Sequence, residues 1–289
     1  MTRNSDVQDI DHLIQLLIRN LVEIKDTSGE FLLRLDDGRV IDTKGWNDWE
    51  WTHGIGLLGL WKFYEQTRDP RCRQIMLDWF ANRFAAGTPT KNINTVAPFL
   101  TLAYLQEENP NAAWPPYLNE WAEWLMDGLP RTEERGFQHI VFNSVNEQQL
   151  WDDTLMMSVM PLAKIGLLLE RPQYVEEARR QFLLHVKYLV DRKSGLWFHG
   201  WTFDGRHNFA EARWARGNAW ITAGMLDLFD LGLSLRLRLT HETARLVEVN
   251  VQFENLFRAE LQPGLHFRHV LLTPFVGRRT LLSRTHRTD

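Results

Sequence analysis

Two adjacent acids, Asp152 and Asp153, stand inside the apolar text Trp151-Asp152-Asp153-Thr154-Leu155-Met156-Met157. A carboxylate at the start of a helix caps free N–H groups and is favoured by the helix dipole. That role accounts for one acid readily and for two less well. Partial burial against apolar neighbours raises a carboxyl pKa and makes the group a proton donor near neutral pH. On the residues alone, cap and catalyst both stand. A second group centres on His199, in Gly195-Leu196-Trp197-Phe198-His199-Gly200-Trp201. A histidine among aromatics is either packed in a core or placed to hydrogen-bond a hydroxyl or a carboxylate. His139 follows Gly136 in a similar setting and is expected at the edge of the same hollow. In Glu211 to Trp220, Arg213 and Arg216 are three residues apart and would share one face of a helix. Their forks suit carboxylates, unless they belong to a solvated, salt-bridged face. Trp49-Glu50-Trp51-Thr52-His53-Gly54 adds rings that could stack on a sugar.

Several chemistries have no anchor in these residues. HExxH, P-loop, strand-linked GxGxxG and GxSxG patterns do not occur in the chain, so zinc proteolysis, nucleotide hydrolysis, dinucleotide redox and the serine elbow are set aside. Cys72 is the one cysteine, which excludes an internal disulfide and a cysteine-based zinc cluster. The formal net charge of −4 gives no reason to expect nucleic acid or an anionic membrane as a partner. The first residues lack a signal-peptide pattern, and no apolar run approaches the roughly 18 residues of a membrane span. A cytoplasmic location is the expectation. What remains is a carboxylate among His, Arg and Trp, suited to acid–base work on a carbohydrate that carries its own carboxylate.

All 13 tryptophans fall between Trp46 and Trp220. Each serves either a large core or a cleft that stacks sugars. The elements that must position them read as helices. Apolar residues recur at helical spacing over 8–25, 49–67, 94–106, 116–127 and 150–170. Pro70 and Pro172 open two more helices, 70–87 and 172–190, another covers 211–232, and residues 240–260 can still form one. Strand-like alternation is scarce. Gly, an apolar residue and then His recur after helices at 136–139, 195–199 and 263–269. This points to an all-α protein of stacked helical hairpins closing into a toroid. The text after Leu233 differs: it holds no Trp, Tyr or Lys but nine Arg and four His. We therefore separate a toroid domain, 1–232, from an atypical segment, 233–289. That segment is expected to be a non-native replacement of the closing hairpin, as a frameshift would produce, or else a surface tail.

The pieces WEWTHGIGLLGL, KNINTVAPFL, GFQH, QLWDDTLMM, SGLWFHGW and ARWARGNAW span residues 45–232. In this order they resemble the unsaturated rhamnogalacturonyl hydrolases, a glycoside hydrolase family related to unsaturated glucuronyl hydrolases. The resemblance implies an (α/α)6 toroid, with the last hairpin incomplete in this chain. It implies hydration of the C4=C5 double bond of an unsaturated uronic acid, so that the galacturonyl residue is released from pectin-derived (rhamnogalacturonan) oligosaccharides. The partner implied is a small oligosaccharide, and no metal or organic cofactor is implied. Asp153, the acid just before Thr154, matches the family's catalytic aspartate, leaving Asp152 as a cap or a supporting partner. His139 and His199 match histidines near the sugar, Trp151, Trp214 and Trp220 match aromatic walls, and Arg216 matches the basic residue near the substrate. Trp51 stands where many relatives carry Tyr. Asn94 stands where some relatives place a second aspartate; its amide can hydrogen-bond a hydroxyl but cannot exchange a proton at neutral pH. Two alternatives accompany this expectation: a glucuronyl hydrolase acting on glycosaminoglycan fragments, and a catalytically silent sugar-binding remnant.

Overall fold

The computed structural model describes residues 3–34 and 38–230. The expected break at residue 233, and the replaced hairpin beyond it, lie outside the described residues. Eight α-helices carry the described chain: α1 (Arg3–Glu23), α2 (Trp51–Thr67), α3 (Pro70–Ala86), α4 (Pro98–Glu108), α5 (Trp114–Glu123), α6 (Met160–Leu168), α7 (Pro172–Leu189) and α8 (Ala215–Asp230). Local chemistry sets their ends. Asp69 caps α3 by accepting a 2.9 Å bond from the Arg71 N–H, and Pro70 fills the position after the cap. Arg68, with φ 56, ends α2 in the left-handed conformation.

The helices pair as hairpins, α2 with α3, α4 with α5 and α6 with α7. One helix of each pair also packs on the next pair, in the row α2, α4, α6, α8. The all-α hairpin architecture expected from the sequence is therefore present. Helix α8 also reaches α2, through Lys62–Asp227 at 2.8 Å and the rings of Trp51 and Trp220 at 6.0 Å.

Two short antiparallel ladders interrupt the helices. The first pairs β1 (Leu32–Arg34) with β2 (Val40–Asp42), and the second pairs β3 (Gln149–Trp151) with β4 (Gly200–Thr202). The second corrects the continuous helix expected over 150–170. Trp151 ends a strand opposite Gly200, Asp152–Thr154 make the corner, and a π-helical turn (Leu155–Val159) leads into α6. Pro161 supplies the reason for that turn, because it has no N–H to give and its ring crowds the carbonyl four residues back. The Met160 N–H accordingly bonds the Leu155 carbonyl, one residue further back than in an α-helix.

The core settles the division of the tryptophans. Seven of them, Trp46, Trp49, Trp61, Trp79, Trp114, Trp121 and Trp197, are buried. Trp49 alone touches Trp79, Phe80, Phe84, Phe99 and Trp121. Its indole N–H, and that of Trp79, donate to the carbonyls of Thr95 and Trp46, so neither polar handle is left unsatisfied. Six stay partly open: Trp51, Trp151, Trp214 and Trp220 lie around the acids, while Trp124 packs by Trp121 and Trp201 by Tyr188.

Candidate active site

The amino-terminal ends of the row helices converge. Trp51 opens α2, Asn94 opens the short 3-10 turn before α4, and Asp152 and Asp153 precede the π-turn of α6. Trp214 and Arg216 stand at the start of α8. Contact between the Asn94 turn and the π-turn, and between Trp51 and Trp220, places these ends together. Helix amino-termini present unpaired N–H groups and partial positive charge. Such a ring of ends favours an anion.

At its centre His199 faces both acids. Its Nδ1 is 2.8 Å from Asp152 Oδ1 and 3.4 Å from Asp153 Oδ2. The backbone fixes this meeting, since the Asp152 N–H donates to the His199 carbonyl at 3.0 Å, continuing the β3–β4 ladder. Asp152 is fully buried and Asp153 is 8% exposed. Asp153 Oδ1 accepts from the Trp220 indole at 3.2 Å, and the Arg216 guanidinium is 3.8 Å away. The second oxygen of each acid, Asp152 Oδ2 and Asp153 Oδ2, is buried without a hydrogen-bond partner. Burial pushes the Asp152 carboxyl up, against the pull of its bond to His199. Burial alone would push His199 down, but the hydrogen bond it donates to Asp152 and the charges of both acids reverse this and hold it above its ordinary value.

Aromatic walls surround the pair. Trp151 meets the His199 ring edge-on at 4.8 Å, and Trp214 lies 5.9 Å from it. Arg216 sits over Trp51 at 5.0 Å and over Trp214 at 5.3 Å, which holds its charge beside the acids. Arg213 does not share that face. It precedes α8 and pairs with Asp191 at 2.7 Å, away from the carboxylates. His139 is buried behind the wall, 2% exposed and stacked flat on Trp151. Its Nδ1 is 2.8 Å from the Thr154 hydroxyl, and burial lowers its pKa to about 3. It is a neutral support for Trp151.

Asn94 is half-buried, and its backbone N–H donates to Asn92 Oδ1 at 2.9 Å. Its side chain lies beside Glu50, a buried acid to which the sequence assigned no role. Burial raises Glu50 to about 7, against the bond from the Trp51 N–H and the nearby Asn94 amide. Glu50 caps α2, and its own N–H donates to His53 Nδ1 at 3.0 Å. That bond leaves the His53 proton on Nε2, which donates to the Gly45 carbonyl at 2.6 Å. Two further residues went unassigned. Gly217 lies where a Cβ would come within 1.9 Å of Asp152 Oδ2, so the acid can enter only against glycine. Asn218 clamps the His199 loop by accepting from the Trp197 N–H at 2.8 Å and donating to the Trp197 carbonyl at 2.9 Å. The Arg-Gly-Asn run was visible in the sequence, but nothing in its pattern said which chain it would meet.

The ligand-type atoms of Asp152, Asp153 and His199 lie within 4.8 Å of one another. Nδ1 is engaged by Asp152, and Arg216 supplies the adjacent positive charge. These three groups could hold a cation, though the charge of Arg216 beside them disfavours one.

Comparison with known proteins agrees in kind. The curated unsaturated rhamnogalacturonyl hydrolase YesR of Bacillus subtilis is 28% identical over 221 residues, 75% of this chain and 63% of that protein. The chain thus spans less than two thirds of that relative. A solved structure described as a possible member of the GH105 family, from Salmonella enterica serovar Paratyphi A, is 57% identical with a TM-score of 0.79. It covers 88% of this chain, which matches 67% of it. Another structure so described, from Klebsiella pneumoniae, is 55% identical with a TM-score of 0.80 over 90% of this chain and 67% of its own. The family profile of Glycosyl Hydrolase Family 88 matches residues 23–259, which includes 26 residues beyond the point where the sequence text changes. With so little of its 289 residues outside that match, the chain belongs to Glycosyl Hydrolase Family 88.

Proposed function

We propose that this protein releases a 4,5-unsaturated galacturonyl residue from rhamnogalacturonan-derived oligosaccharides by hydrating the C4=C5 bond. The observation that carries the reading is Asp153: an acid bonded by the Trp220 indole, with one oxygen unpartnered and Arg216 and His199 beside it. Asp153 delivers a proton to C4, and positive charge develops at C5 and the ring oxygen. Water adds at C5 as the Asp153 carboxylate takes up its proton, so the acid is restored within one turnover. The hemiketal opens and the neighbouring sugar departs. Nothing in this route needs a second acid at position 94. Arg216, His199 and the helix amino-termini are suited to the uronate carboxylate, and Trp51, Trp151 and Trp214 to ring faces.

The ultraviolet absorbance of the conjugated double bond tests this on a panel of lyase-generated disaccharides. It should decay with uronyl-rhamnose and not with glycosaminoglycan disaccharides. Decay with the glycosaminoglycan set alone would replace the substrate. The Asn94 amide favours a second reading, binding without turnover; bound disaccharide with its absorbance intact would establish it.

A further inference from the structure

His199 Nε2 has no protein partner among the described residues, while Nδ1 is tied to Asp152. The imidazole is partly open, with 17% of its side chain exposed, whereas Asp152 is sealed in at 0%. Asp152 therefore touches no substrate. Its oxygens face the imidazole, the neighbouring acid and the space that a side chain at Gly217 would fill. Sealing a carboxylate with one oxygen unpartnered is costly, and here the chain gives up a side chain at position 217 to admit it.

We propose that Asp152 is a positioning residue which ties Nδ1 of His199, so that Nε2–H is held as a donor toward the substrate's carboxylate. This rests on the uronate reading above. The groups facing the imidazole are Asp152 and Asp153 from the corner before α6, Arg216 from the first turn of α8, and the ring of Trp151 from β3. His139 behind Trp151 is neutral. Asp152 is the acid in direct hydrogen-bond contact, so its charge sets the proton affinity of the ring. Asp152, raised to about 7 by burial, titrates together with the ring, so the pH dependence of substrate binding belongs to the pair.

Asp152→Asn keeps the size of the side chain and an acceptor for Nδ1–H but removes the charge. Two measurements on the full chain are needed. The first is an NMR titration of the His199 ring, which requires no substrate. Its pKa should fall in Asp152→Asn by about one unit or more. The second is KM and kcat against pH. The mutant KM should match wild type near pH 5, where the ring is protonated in both, and exceed it by about tenfold near pH 7. A His199→Gln variant, with a neutral donor, should have a KM without this pH dependence. A merely structural role would raise KM by the same factor at every pH and leave the ring pKa in place, and either result overturns the proposal. If no uronyl disaccharide is turned over, the uronate reading fails while the titration still decides whether Asp152 governs the ring.

Discussion

The ring of His139 lies flat against the indole of Trp151, 4.4 Å between centroids and 4° from parallel. The contact sets the tilt of the Trp151 indole, which also meets the His199 ring. It lasts only while the imidazole is neutral, because the ring is buried and its Nδ1 faces a hydroxyl rather than an acid.

The sign of the pH effect follows. His139 is held at about 3, far below the ordinary 6.5. Its neutral form stabilises the fold in full above about pH 6.5, and that contribution is lost as pH falls toward the folded value. His139→Gln removes the titration. Urea unfolding between pH 7 and pH 4 should show wild type losing about 3 kcal/mol more than the variant. Equal losses would mean that the ring is not held neutral. Comparing the two proteins cancels Glu50, which acts in the opposite direction: raised to about 7, its burial is costly at neutral pH and less so in acid.

Trp220 joins α8 to Asp153 by the 3.2 Å bond from its indole to Asp153 Oδ1. Trp220→Phe keeps a ring beside Trp51 and deletes the donor. A hydrogen bond to a charged group contributes about 1.5–3 kcal/mol, so kcat should fall about tenfold or more with little change in fold stability. An unchanged kcat would show that this bond does not orient Asp153.

Gly217 offers a test in the opposite sense from helix propensity. In an ordinary helix, Gly→Ala stabilises by about 1 kcal/mol. Here the new methyl would meet Asp152 Oδ2 at 1.9 Å. Gly217→Ala should therefore destabilise by about 1–3 kcal/mol and reduce turnover. A stabilised, fully active variant would refute the close approach.

The helices were legible because their signals are local: Asp69-Pro70 starts α3, Gly87 ends it, and apolar spacing fills it. The corner at Asp152 was not. It depends on a ladder between Trp151 and Gly200, 49 positions apart in the chain, and on Pro161 widening the turn. No period within residues 150–170 encodes that partner. The site was legible as motifs, with Asp153, His199, Trp151, Trp220, Arg216 and Trp51 brought together. The roles of Gly217, Asn218 and Glu50 were hidden because each works across a gap in sequence. Arg213 misled for the same reason: its spacing from Arg216 was helical, but the helix begins after it.

The most direct measurement is the decay of double-bond absorbance with uronyl-rhamnose for wild type and Asp153→Asn side by side, with disaccharide affinity measured on both. A proton donor of this kind contributes about 100- to 10,000-fold. The variant should lose at least that lower factor in rate while still binding the disaccharide. A variant that turns over within about tenfold of wild type would contradict the assignment of Asp153.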